Sequence, residues 1–199
     1  QEAGNGILQA DVQPGDVKYV DRVKDGVINS LDKTNLGDGM PDITYGFNIS
    51  VGYKGIDFSI NAYGAAGHDS DLPRDLLADP QANYTSAILQ RWTGEGTSNR
   101  MPRVTETNVN WQFSDLYLQD GDYLRIANVT LGYDLSKLVN KGFLSQARVY
   151  VQGQNLLTFT KYDGMDPEIG YGTQSWVSGI DLGYYPRPRV VMAGVNLKF

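Results

Sequence analysis

The segment from Thr44 to Tyr53 alternates without a break. Tyr45, Phe47, Ile49, Val51 and Tyr53 are separated by Gly46, Asn48, Ser50 and Gly52, with Thr44 ahead of them. Successive side chains of an extended strand point to opposite faces, so this order makes one face apolar and the other small and polar. Eight residue steps separate the bracketing tyrosines. At about 3.3 Å per step and a tilt of about 40°, they stand ~20 Å apart along a barrel axis, close to the apolar band between the two aromatic girdles of a membrane barrel. In a soluble sandwich the same spacing is coincidence. Lys54-Gly55 reads as a tight turn into Ile56–Ala65, where Ile56, Phe58, Ile60 and Ala62 alternate with Asp57, Ser59 and Asn61, so the two runs form a hairpin.

The last eleven residues repeat the pattern, with Val191, Ala193, Val195, Leu197 and Phe199 on one face and Met192, Gly194, Asn196 and Lys198 on the other. Their backbone groups must pair with another strand. The closing strand of a barrel and an ordinary terminal strand both fit these residues. Between the two ends, strands are expected at about Leu116–Leu118, Tyr123–Asp134 and Ala147–Thr160. In Tyr123–Asp134 the apolar parity changes between Ile126 and Val129, which predicts a bulge. Residues 67–112 and 161–188 lose alternation and read as long loops, the first with short helical turns near Asp71–Leu77 and Ser86–Trp92. Connections therefore run short, long, medium, long, the asymmetry of a transmembrane barrel with short periplasmic turns and longer extracellular loops. The fold class expected is all-β. About five such strands cannot close a membrane barrel, for which eight is roughly the minimum. The expectation is the C-terminal part of a longer polypeptide, or one piece of a cleaved one.

Composition removes several function classes. No run approaches the roughly 18 apolar residues of a membrane helix, and mean hydropathy is -0.37, a value that membrane barrels with polar lumens also reach. There are no cysteines, hence no thiolate metal site, thiol catalysis or disulfide framework. Net charge is -6 without a Lys/Arg cluster interleaved with aromatics, so nucleic acid is not an expected partner. Thirteen tyrosines outnumber six phenylalanines and three tryptophans, which suits surfaces where one end of a ring is dry and the other wet.

Gly15-Asp-Val-Lys-Tyr-Val-Asp21, Asp25-Gly-Val-Ile28, Pro41-Asp-Ile-Thr-Tyr-Gly-Phe47, Arg91-Trp-Thr93, Asp120-Gly-Asp-Tyr-Leu-Arg125, Gly153-Gln-Asn-Leu156, Tyr162-Asp-Gly-Met-Asp-Pro-Glu168 and Tyr185-Pro-Arg-Pro-Arg189 stand in this order along nearly the whole chain. The ordered series resembles the C-terminal third of SusC/RagA-type TonB-dependent outer-membrane transporters. That resemblance implies a 22-stranded antiparallel barrel, incomplete in this chain, with its plug and TonB-contacting segment in a missing N-terminal part. It implies TonB-driven import of oligosaccharides or oligopeptides in a Gram-negative, Bacteroidetes-like outer membrane, as a multi-pass protein. It also implies a SusD-like surface lipoprotein lid, and contacts with the rest of the same barrel and with outer-membrane lipid. The domain reading is an extracellular loop region at 1–43 and barrel strands at 44–199, with loops at about 66–115 and 161–188. A soluble secreted β-domain that binds carbohydrate is the alternative, and an adhesin-like barrel without transport is a third reading.

Four sets of residues are candidates. Asp21, Asp25, Asn29 and Asp32 occupy positions one, five, nine and twelve of an EF-hand-like loop, with Gly26 at the sharp turn and the Val27 carbonyl at seven. Val23 breaks position three, and position twelve is Asp instead of Glu. A Ca2+ ion and a metal-free Asp/Gly turn are both open, and no cofactor is required. Trp92, Trp111, Tyr171, Trp176, Tyr184 and Tyr185 suit contact with substrate, although packing of the loops or an interface with a lid is the preferred reading. Tyr45, Tyr53, Tyr133 and Phe199 are the expected membrane girdle. Arg148, Gln152 and Gln154 are expected to face the lumen. No catalytic residue is expected: His68 is the only histidine and has no nucleophile motif beside it, and the Asp166/Glu168 pair lies on a Pro-containing loop.

Overall fold

In a computed structural model, residues 9–71, 86–105, 108–136, 144–169 and 179–199 are described. They fall into two compact units. One comprises Asp38–Leu72 and Gln119–Phe199, and the other Gln1–Gly37 and Pro73–Leu118.

The first unit is built on an antiparallel sheet of five strands. In chain order its elements are β1 (Ile43–Tyr53), β2 (Ile56–Ala66), the short β3 (Asp69–Asp71) and β4 (Leu118–Asp120), β5 (Tyr123–Asp134), β6 (Gln146–Thr160) and β7 (Val190–Lys198). The large sheet runs β1-β2-β5-β6-β7, and β3 pairs with β4 in a separate ladder. The sheet does not close, so β1 and β7 are its two edges. Lys54 (φ 49°) and Gly55 (φ 92°) both take left-handed backbone, the requirement of the tight hairpin turn whose twist matches its strands. Strand directions put this turn, the strand ends at Asp134 and Gln146 and Phe199 on one rim of the sheet, and the strand ends at Ala66, Tyr123, Thr160 and Val190 on the other.

Register explains which side chains share a face. Ile49 pairs with Ile60, Ile60 with Val129, Val129 with Gly153, and Gly153 with Val191, so one level of the sheet is apolar from edge to edge. The same face carries Val51, Phe58, Leu131 and Val151 one step away. Val51, Leu131, Val151 and Val191 are all exposed, Val191 at 73%. Such an unbroken bare surface is out of proportion for a water-facing sheet. The opposite face carries Asn48, Asn61, Asn128 and Gln154.

The parity change in β5 is a bulge. Register against β6 shifts between Ile126 and Asn128, leaving Ala127 unpaired. On β6 the corresponding residues are Asn155 and Leu156, with Asn155 in left-handed backbone (φ 51°). The Asn155 amide donates to the Pro188 carbonyl at 3.1 Å. Leu156 folds over Gly153, where a Cβ would meet its side chain at 2.7 Å. The Gly153-Gln-Asn-Leu156 motif is therefore the signature of a bend in the wall.

In the second unit the elements are short. Single 3-10 turns lie at Ser30–Asp32, Ser86–Gln90 and Asn108–Trp111. The expected turn at Asp71–Leu77 lies, beyond Asp71, outside the described residues. No described helix is long and apolar enough to cross a membrane.

Candidate functional site

On the polar face of the sheet, near the rim of long connections, β5 buries an arginine. Arg125 is 2% exposed. Its guanidinium donates to Asp166 and lies 3.7 Å from Glu168. Glu168 accepts from Arg187 at 2.9 Å and from the Tyr63 hydroxyl at 3.0 Å. Asp166 also accepts the backbone N–H groups of Glu168 (3.0 Å) and Arg187 (3.2 Å). Tyr63 meets Tyr123 edge to face, with ring centroids 6.3 Å apart. Two cations and two carboxylates thus balance, with Arg125 and Asp166 buried, Glu168 nearly so and Arg187 at the exposed side, and the cluster holds Asp166–Glu168 against the sheet. Next to it, Tyr162 donates to Asp181 at 2.6 Å, both buried, and Asp181 accepts from Gly183 N–H at 2.7 Å. The Tyr162–Glu168 motif is the docking segment of this loop. Asp166 and Glu168 are engaged by arginines and Asp163 by Gln119 at 3.2 Å, while His68 lies 3.8 Å from Asp122.

The second unit has its own organising carboxylate. Asp16 accepts two hydrogen bonds from Arg103 (2.7 and 3.0 Å), one from Asn110 (3.0 Å) and one from Gln13 N–H (2.8 Å). Burial alone would raise its pKa, but the bonds from Arg103, Gln13 and Asn110 together hold it below the ordinary carboxylate range. Asn110, 2% exposed, also accepts from Val17 N–H and takes the Tyr117 hydroxyl on its carbonyl. Around this knot lies an open cleft of about 440 Å³, lined by Gly15, Trp92, Asn99, Arg100, Met101 and Asp115 among others. Trp92 N–H donates to the Met101 carbonyl at 2.9 Å. Gly15 lies flat on the indole: a Cβ there would stand 2.3 Å from the ring, and its φ of 92° also favours glycine.

Of the aromatic candidates, the structure places Trp92 in this cleft. Trp111 ends the 3-10 turn in the same unit and is not among the cleft's lining residues. Tyr184 and Tyr185 belong to the sheet unit, Tyr184 half-buried and Tyr185 89% exposed. Tyr171 and Trp176 lie outside the described residues.

In the Asp21–Asp32 loop, oxygen after oxygen is turned onto backbone. Asp32 accepts from Arg22 (2.8 Å), Val23 (3.1 Å) and Asn29 (2.8 Å) N–H groups. Asp21 accepts from Lys24 and Gly26, Asp25 from Val27, and Asn29 from Leu31. The N–H groups of Asn29, Val23 and Arg22 hold Asp32 below the ordinary carboxylate range against the effect of burial. These bonds give the turn its side-chain caps. Limited proteolysis of the full-length protein should give the same pattern with calcium and with EDTA, whereas Asp32→Ala should open a cleavage site between residues 21 and 32. Protection by calcium would establish the metal loop instead.

The girdle candidates fall at two levels of the apolar face. Tyr53 and Tyr133 flank Ile56 in register near the short-turn rim, and Phe199 follows β7 at the same rim. Lys54 caps the Tyr53 ring at 5.1 Å. Tyr45 stands at the other level, lying over Gly64 and donating to the Tyr123 carbonyl at 2.9 Å. Phe159 shares that level through Gly64 and Leu124. The sequence does not mark it, because the alternation of β6 is interrupted at the bulge. On the polar face, Arg148 makes a forked ion pair with Asp57, its Nε 2.8 Å away, across Gly132, whose missing side chain leaves the space. Gln152 reaches Asn128 at 3.3 Å.

No protein-family model matches the chain. Curated relatives do. TonB-dependent receptor P3 of Formosa agariphila is 34% identical over 98% of the chain, and TonB-dependent receptor SusC of Bacteroides thetaiotaomicron 29% identical over 94%. The chain spans about a fifth of the length of these relatives. Among solved structures, the RagAB peptide importer in its closed-closed state matches with TM-score 0.68 and 27% identity, covering 94% of this chain and 20% of that one.

Proposed function

Because the chain belongs to the SusC/RagA-type TonB-dependent outer-membrane transporters, we propose that it is part of the wall and outer loops of a barrel that imports oligosaccharides or oligopeptides across the outer membrane. The observation that carries this reading is the two-sided sheet. Its apolar face is exposed across Val51, Phe58, Leu131 and Val151 and bracketed by aromatics, and its polar face is lined with amides and paired charges. Further strands complete the barrel beyond the edges β1 and β7. Energy comes through the TonB complex, and a SusD-like lipoprotein covers the outer mouth. The docked Tyr162–Glu168 segment then lies on the outer side, where cargo arrives.

The test uses the full-length protein. Partition into detergent, faster migration of the unheated protein on a denaturing gel, and cargo uptake that disappears when TonB is removed are the expected results. Solubility without detergent and ordinary migration would overturn the reading. They would favour the soluble carbohydrate-binding domain, which must fold in plain buffer as residues 1–199 alone.

A further inference from the structure

We propose that the cleft beside Trp92 is an oligosaccharide subsite, with the indole as a stacking platform and Asn99, Arg100 and Asp115 as its hydroxyl-binding rim. This rests on the importer reading and assigns that importer a glycan cargo.

The first ground is a pre-set aromatic. The Arg91–Met101 bridge and the Trp92 N–H bond to Met101 hold the backbone. Thr97 accepts from Thr93 and Gly94 N–H groups, and Ser98 from Arg100 and Met101 N–H groups, which fixes the intervening turn. Gly15 closes one side of the ring, and what remains of the indole borders the cleft. A ring already immobilised loses little freedom when a ligand stacks on it. The C–H face of a pyranose suits such a platform, since it is apolar while its edge is all hydroxyl.

The second ground is the chemistry of the rim. Asn99, Arg100 and Asp115 are exposed and line the cleft. Among the described residues their side chains make no hydrogen bond or ion pair. Each ends in a planar group with two adjacent donors, acceptors or one of each, the geometry that grips vicinal hydroxyls. Asp16 also lines the cleft, but its carboxylate is 1% exposed and committed to Arg103. The lining carries Lys18 and Arg100 as well as Asp16 and Asp115, two charges of each sign, so the rim does not select a strongly charged ligand.

The third ground separates glycan from peptide. A peptide added as a strand is held chiefly through backbone pairing, and several N–H groups beside this cleft are already used. The N–H groups of Trp92, Arg100, Met101 and Arg103 all have partners within the unit. A volume of about 440 Å³ lies within the ordinary range for small-molecule sites, about 300–1,000 Å³.

The experiment measures calorimetric binding of neutral hexasaccharides (gluco-, xylo- and manno-configured) and of a hexapeptide mixture to the purified full-length transporter in detergent. Trp92→Ala should weaken glycan binding at least tenfold, Trp92→Phe only a few-fold, and Asn99→Ala with Asp115→Ala three- to tenfold, with gel migration of the unheated protein unchanged. Glycan affinity unaltered by Trp92→Ala, a wild type that binds no hexasaccharide, or a loss confined to peptides would each overturn the subsite. Uptake assays run in parallel keep the two readings apart. Abolished glycan binding with TonB-dependent uptake of another cargo counts against the subsite alone. Intact binding without any TonB-dependent uptake counts against the importer.

Discussion

Arg125→Met is expected to be the most damaging single substitution in the described residues of this chain. It removes a cation that lies against both Asp166 and Glu168, whose side chains are 8% and 11% exposed. A buried pair broken from one side leaves an uncompensated charge in a place water reaches poorly, a loss of about 3–5 kcal/mol. Arg187 still covers Glu168, so the larger part of the defect should fall on Asp166. The expected readouts are a lower denaturant midpoint for the full-length protein in detergent and new protease sites between residues 161 and 188. The reversal is equally specific. Arg125→Met combined with Asp166→Leu removes both charges and should recover a large part of the loss, because an apolar pair of similar volume can replace a buried ion pair at little cost. A single variant within about 1 kcal/mol of wild type would mean that water reaches the cluster and that the loop is held elsewhere.

The cluster also marks the limit of what the sequence can say. Strands were legible because a period of two is a property of neighbours in the chain: β1, β2, β5, β6 and β7 all lie within a residue or so of the expected bounds. Even the β5 bulge was visible, as a slip of parity between Ile126 and Val129. By contrast, β3 has the sequence Asp-Ser-Asp. Nothing in it alternates, and it is a strand only because β4 lies beside it. Arg125 belongs to the same class. It interrupts no pattern, being a polar residue on the polar face, and its partners lie 41 and more residues away. The Asp166/Glu168 pair reads from sequence only as acids on a Pro-containing loop, and the arginines that engage them are far away in the chain. The Asp21–Asp32 spacing shows a related ambiguity. Acids at metal-ligand intervals are also at intervals that cap a turn, and only the direction of each oxygen tells them apart. Trp92 could be named from composition, but Gly15 lying on its ring is a contact across 77 positions of chain.

The largest effect on assembly should come from the plain apolar level at Ile49, where no polar contact is lost. Ile49 lies midway between Tyr45 and Tyr53 on β1 and half exposed, in line with Ile60, Val129, Gly153 and Val191. If this face meets hydrocarbon, Ile49→Arg places a charge near the bilayer midplane and costs about 2–4 kcal/mol, while the same change near a girdle costs about 0–1. Asn48→Arg, one residue away and on the opposite face, should be nearly neutral because it enters the lumen. Refolding of the full-length protein into lipid vesicles across a urea series, scored by unheated gel migration, reads the difference directly. A shift for Ile49→Arg with none for Asn48→Arg assigns the two faces to lipid and lumen. The opposite ranking would reverse the sheet. Equal tolerance of both, with improved solubility for Ile49→Arg, would mean that water covers the apolar face and that the barrel reading fails at its foundation.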